Sequence, residues 1–538
     1  MLNRALCIVV ALIGCGDSLR LLDETEAVSA DTGPPTIKSV KTDDGFHQIR
    51  QSADVQLVIR GTNLAGATSV AVGALPATIV SAADNQVIAE IFIFDGELGK
   101  LDVTVVTDLG TVTETEAIRV TPWVLAPDAV GGHGTFASPM SLCDSELEGA
   151  GSRDTVKLLA GTFQCDRGPE LNTGVTVEGA GSDTVIVHTS TASEGAGFFV
   201  FIGNPSNVSM VRNLTFQQIL TGFSVEVDSG TLNLDHVTDH GGGISLFNAT
   251  ANIDHYHYDS TGSEDTSAGL DLSLSTATVT DSSFRDCGPG VAVAVHEQAS
   301  TFQGSFAMLD HVTVQGCDRG VVSGDQAHES PLTVLVINGS KFIGNRVAID
   351  LVDANASITD TVIRDDDTTP GASETGIVLS NGSLGISGGR IADQSVAGIS
   401  LFSAGFAPFD RDLSVRATGI TIVGGAVGID ISDGSVATGL LLRNSTIRQQ
   451  TVASVRLGGV IDPSYDLGRP GDPGMNALSV VSGFALVDHE PGFADNDVTR
   501  IIHATGTTLN GHSFDGQFVQ DASLPPFYET TGPNGIQF

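Results

Sequence analysis

Residues 230–273 read GTLNLDHVTDHGGGISLFNATANIDHYHYDSTGSEDTSAGLDLS, and two phrases occur twice in them. The first is Leu234-Asp-His-Val, repeated as Ile253-Asp-His-Tyr. The second is Gly243-Ile-Ser-Leu, repeated as Gly269-Leu-Asp-Leu. The Gly phrase also stands at Gly222, Gly290, Gly320, Gly376, Gly398 and Gly428, with Ala348 and Ala453 in the same slot. Successive anchors lie 21 residues apart at the shortest (Gly222 to Gly243) and 30 at the longest (Gly398 to Gly428). The Asp-His phrase recurs as Val279-Thr-Asp-Ser, Leu309-Asp-His-Val and Ile358-Thr-Asp-Thr. Each unit holds two or three runs of alternating apolar residues, and no helix-length pattern interrupts them. Loops that vary while the anchors stay in phase describe stacked parallel coils, one rung every ~4.8 Å.

This pattern resembles the right-handed parallel β-helix of the pectin-lyase-like family over residues 125–480, with about ten or more rungs. The entry, GGHGTFASPMSLCDSELEGAGSRDTVKLLAGTF, resembles the start of such helices. Ser138 as N-cap and Pro139 at the first helical position predict a short amphipathic helix over the open first rung. The segment YDLGRPGDPGMNAL, from Tyr465, resembles a closing segment, and 481–538 reads as an irregular C-terminal cap.

Ahead of the repeat, residues 36–122 alternate apolar and polar with turns between. Val55, Leu57 and Ile59 form one such run, and Leu101, Val103 and Val105 another. Seven or so short strands in that length predict an antiparallel sandwich. Gly61-Thr-Asn-Leu and Val70-Ala-Val-Gly resemble the signatures of the immunoglobulin-like IPT/TIG domain, which implies a spacer or interaction module. The fold class is therefore all-β: an immunoglobulin-like sandwich followed by a parallel β-helix.

The chain begins MLNRALCIVVALIGCGDS. Arg4 and the nine apolar residues from Ala5 to Ile13 fit a signal peptide, not a membrane span. Leu12-Ile13-Gly14-Cys15 resembles a bacterial lipobox, which implies a signal peptide over 1–14 and acylation of Cys15. An ordinary secretory signal is the alternative. Residues 15–35 then read as a tether, and the expected address is the cell envelope, lipid-anchored. The remaining cysteines are even in number, as an oxidising compartment favours. Cys287 and Cys317 occupy one slot of neighbouring coils, within disulfide reach. Cys143 and Cys165 are placed to pin the entry; free buried thiols remain the alternative for both pairs.

Among 538 residues, Lys+Arg 25 against Asp+Glu 64 gives a net charge of −39. That excess excludes nucleic acid as a partner and disfavours polyanions unless a local cation reverses the field. The catalytic patterns of polygalacturonase-like and pectate-lyase-like enzymes are not found, and Gly132-His133-Gly134 reads as a turn. Asp365-Asp366-Asp367 reads as a solvated turn or a weak Ca²⁺ contact; no other cofactor is implied. Four of the 13 histidines fall between His236 and His257. The set Asp235, His236, Asp254, His255, His257 and Tyr258 combines imidazole, carboxylate and phenol, the groups of proton abstraction, and resembles alginate-epimerase-like sites. The alternative is that Asp-His is a repeat variant, present again at His311, forming an outward ladder or a weak metal site. The expected function is a non-enzymatic surface rod for adhesion, with glycans or envelope proteins as partners. The alternative is a polysaccharide lyase, epimerase or hydrolase.

Overall fold

The computed structural model describes residues 33–94, 98–166, 168–188, 198–217, 222–260, 268–296, 304–324, 333–368, 371–402, 413–431, 437–457, 461–488, 500–514, 517–520 and 536–537. The signal peptide, Cys15 and nearly all of the tether lie outside the described residues.

Residues Thr36 to Thr121 form a sandwich of mostly antiparallel strands, joined in one eight-stranded ladder that folds over on itself. Its core is the inward half of each alternating run, including Leu57, Ile59, Val72, Val87, Ala89, Val103 and Val105, all fully buried. Burying such a side chain contributes roughly 1.5–3 kcal/mol, which is what selects this register.

From Trp123 on, every pairing until the last coils is parallel, and each coil lays one strand on each of three faces. Face A starts at Trp123–Leu125 and Thr155–Leu158, face B at Gly161–Cys165 and face C at Glu170–Asn172. Well over ten coils stack this way. Inside, like residues form columns. On face A, Leu234, Ile253, Val279, Leu309, Ile337 and Ile358 are successive partners. On face C, Ile349, Ile377, Ile399, Ile429 and Val455 are. One strand can turn the corner from A to B without ending. Gly230–His240 alternates inward and outward until His236, which takes φ 52°, and the phase then slips by one so that Val237 is buried. Asn213, His255, Asp281, His311, Asp360 and Asn444 take the same left-handed conformation at the same corner. Asn, Asp and His are the non-glycine residues that tolerate it best.

The corner from B to C demands something else. There Gly398 and Gly428 sit so close to the next coil that a Cβ on Gly428 would lie 2.3 Å from Ile447 Cγ2 and 2.4 Å from Ser454 O. At these two levels only glycine fits, while other coils hold the slot with another small residue. This corrects three anchors of the repeat. Val225 pairs with Ile244, Leu270 with Val293 and Ile429 with Val455, so the slot is held by Ser224, Ala292 and Ser454, not by Gly222, Gly290 and Ala453. Around Gly288-Pro289-Gly290 the strand bulges, adding the residues that displaced the phase.

No α-helix forms at Ser138. Met140 and Leu142 are both buried, an extended spacing, and Met140 bridges Leu125. Instead Asp144 caps a single 3₁₀ turn, Ser145–Gly149, whose eclipsed Leu147 and following Ala150 close the core end. At the far end the coils continue beyond residue 480, through Phe484–Asp488, Arg500–His503 and Thr507–Leu509. Antiparallel strands His512–Phe514 and Gln517–Gln520 then pair on the last rungs, a reversal that blunts the growing edge.

Disulfides join Cys143 to Cys165 and Cys287 to Cys317, with Cα atoms 5.7 and 4.5 Å apart. Cys317 faces Gly288 in the ladder, so the second bridge runs one residue out of register. Sandwich and β-helix meet through Arg50. It lies 4.3 Å above the ring of buried Trp123 and pairs with Glu146 at 3.1 Å.

Candidate functional site at the A–B corner

His236 and His255 are corner residues of adjacent coils. Because both are left-handed, their rings leave the rod in the same direction and stack face to face, centroids 4.4 Å apart and planes 11° from parallel. Asp235 and Asp254, the last outward residues of face A, are direct partners in the ladder. Each carboxylate turns to its own histidine. Asp235 Oδ1 is hydrogen-bonded to His236 Nδ1, and Asp254 Oδ2 lies 3.0 Å from His255 Nδ1. Thr280, one coil further, donates to Asp254 Oδ1 at 2.7 Å. That hydrogen bond, with the two imidazoles behind it, holds the Asp254 carboxyl below the usual carboxylate range. His311, in the corner two coils on, sits 3.1 Å from Asp310 but has no stacked imidazole among the described residues.

The six sequence candidates do not converge. His257 faces outward on face B, its Nδ1 2.9 Å from Ser283 Oγ. Partial burial, then the charge of Arg285, lower its pKa. Tyr258 is 2% exposed and belongs to the interior, where it packs with Tyr256 and Phe284. The reason is the phase slip at His255: after it Tyr256 and Tyr258 point inward and His257 and Asp259 outward. Tyr256 donates to Asp239 Oδ2 at 3.0 Å. Asp239, wholly buried, also accepts the Gly242 and Gly243 amides and so fixes the B–C corner. Burial raises its pKa against those bonds.

Face B carries what the sequence reading missed. Outside His257, an open groove of about 510 Å³ is lined by Asp259, Asp281, Ser283, Arg285, His311 and Thr313. Aligning Val279-Thr-Asp-Ser with Ile253-Asp-His-Tyr already sets Arg285 beside Asp259, as the ladder does. Asp365, by contrast, accepts the amides of Asp366, Gly371 and Ser373, and Asp367 pairs with Arg364 at 2.8 Å. These carboxylates organise their own loop. His133 lies across a larger cleft, about 700 Å³, between the sandwich and the first coil, its Nε2 3.0 Å from Asp44.

Fold and corner together define a parallel β-helix rod behind a β-sandwich. No family model matches the chain, and no curated protein does. Among solved structures, the A-module of the Azotobacter vinelandii mannuronan C-5 epimerase AlgE4 is similar at 14% identity, covering 65% of this chain and 90% of that one, TM-score 0.22. The gp42 tailspike of Acinetobacter phage vb_AbaP_AS12 is similar at 9% identity, covering 80% of this chain and 71% of that one, TM-score 0.27. The AlgE6 A-module from Azotobacter vinelandii gives 13% identity, 66% and 90%, TM-score 0.23. Superpositions this loose carry no argument about activity.

Proposed function

We propose that the chain is an envelope-anchored rod whose face B binds extended glycans without cleaving them. The observation that carries this reading is the open, polar groove along His257, Ser283 and Arg285, which runs across successive coils rather than closing around one sugar. Arg285 and the histidines supply donors for hydroxyl or carboxylate groups on an otherwise acidic wall. The lipobox-like Leu12-Ile13-Gly14-Cys15 supports anchoring at acylated Cys15, and the IPT/TIG-like sandwich supports a display role.

The test is the purified full chain on polysaccharide arrays and on pectate, alginate, hyaluronan and neutral glucans, with and without Ca²⁺. Binding is expected, weakened at least ~10-fold in Arg285→Ala, with no unsaturated product, reducing end or C5 epimer. Turnover that disappears in His257→Ala, with circular dichroism unchanged, would make the chain a lyase, epimerase or hydrolase. Absence of any glycan binding would remove the reading altogether.

A further inference from the structure

We infer that the A–B corner of the His236 and His255 coils binds one divalent transition-metal ion through the carboxylate of Asp235 and the imidazoles of His236 and His255. Three observations bear on it. The ligand atoms of these residues lie within 4.8 Å of one another, close to the spread of donors around a single ion. Metal–ligand bonds of about 2.0–2.2 Å require those atoms to close by roughly an ångström. Partly exposed side chains on a corner make that adjustment by rotating. Next, the ladder stacks like on like here. Asp254 is the register partner of Asp235, and the ring of His255 lies on that of His236. Two carboxylates one rung apart repel, and a dication shared at this corner removes that repulsion. Finally, His255 Nδ1 is buried 3.0 Å from Asp254 Oδ2 and has no well-aligned hydrogen-bond partner. A buried ring nitrogen left without an aligned partner is an unsatisfied polar group, which rotation of the ring onto a bound cation would relieve.

The donor set decides the metal class. Two imidazoles with one or two carboxylates suit Zn²⁺, Cu²⁺ or Ni²⁺, while Ca²⁺ and Mg²⁺ take oxygen donors. The site stands apart from the glycan reading, for none of its three ligands lines the face B groove.

The fold supplies its own conservative variants. Asn213 and Asn444 hold the same left-handed corner, so His236→Asn and His255→Asn keep the backbone that the position requires. The purified full chain, its fold followed by circular dichroism, is titrated with Zn²⁺ by calorimetry and with Co²⁺ by visible absorption. One tight equivalent is expected, with a Co²⁺ spectrum of nitrogen and oxygen donors. Each His→Asn variant, and independently Asp235→Asn, is expected to weaken it at least ~10-fold. The double histidine variant loses the equivalent, and His311→Asn, a corner histidine without a stacked partner, leaves it intact. Absence of a stoichiometric equivalent overturns the inference, as does its survival in the double variant or its equal loss in His311→Asn.

Discussion

Arg456 reaches back one coil to Asp430, its Nε donating to Oδ1 at 2.6 Å and its Nη2 to Oδ2. The two are partners on face C, and the pairing leaves Asp430 only 6% exposed although its side chain points out of the rod. Outward on this surface does not mean free.

Asp430→Asn is therefore expected to lower stability by about 1–2 kcal/mol through the lost charge-assisted pair. Ile429→Asp, one residue earlier and fully buried, should lose several kcal/mol by placing a bare charge in the core. Chemical denaturation of both variants checks the order; equal losses would refute the register.

The narrow B–C corner gives a steric test. Gly428→Ala should destabilise by about 1–3 kcal/mol, because its methyl meets Ser454 O, which the ladder holds in place. Gly149→Ala, with nothing within 4 Å of its Cβ, should stay within about 0.5 kcal/mol of the wild type.

Acid should uncouple one inter-coil clamp. Arg346 grips Asp318 through Nε–Oδ1 at 2.6 Å and Nη2–Oδ2 at 3.1 Å, and reaches Glu374 on the other side. The hydrogen bond from Arg346 holds the Asp318 carboxyl below its ordinary value. A pKa depressed by folding means stability that is present above the unfolded value near ~3.9 and lost as pH falls through the folded one. The melting-temperature gap between wild type and Arg346→Met should thus be open at neutral pH and shrink below about pH 4. A gap that widens in acid would contradict the assignment.

At the other end of the chain, Cys15→Ser should leave an unlipidated, membrane-free species detectable by mass and by detergent partitioning. Unchanged fractionation would refute the anchor.

Much of the fold was legible because the A-face columns are written directly in sequence: Leu234, Ile253, Val279 and Leu309 precede the corner in every coil and do pair. Face C was read through glycine, and that failed at Ser224, Ala292 and Ser454, since the constraint there is space and three residue types meet it. The entry misled for a related reason: Ser138-Pro139 is a good helix start, but Met140 and Leu142 are both claimed by the core at extended spacing. At the site, the stacked histidines followed from the repeat. The inward turn of Tyr258 did not, because one left-handed residue reverses every side chain after it.

That reversal leaves a vertical seam along the rod where the side chain at each level belongs to no interior. Asn, Asp, Gly and His exchange there from coil to coil, and such exchanges leave the columns beneath untouched. Stability and surface chemistry are thereby written in separate alphabets. The outer text can be rewritten one level at a time, and a recognition patch can drift up or down the shaft through a lineage while the shaft itself stays the same.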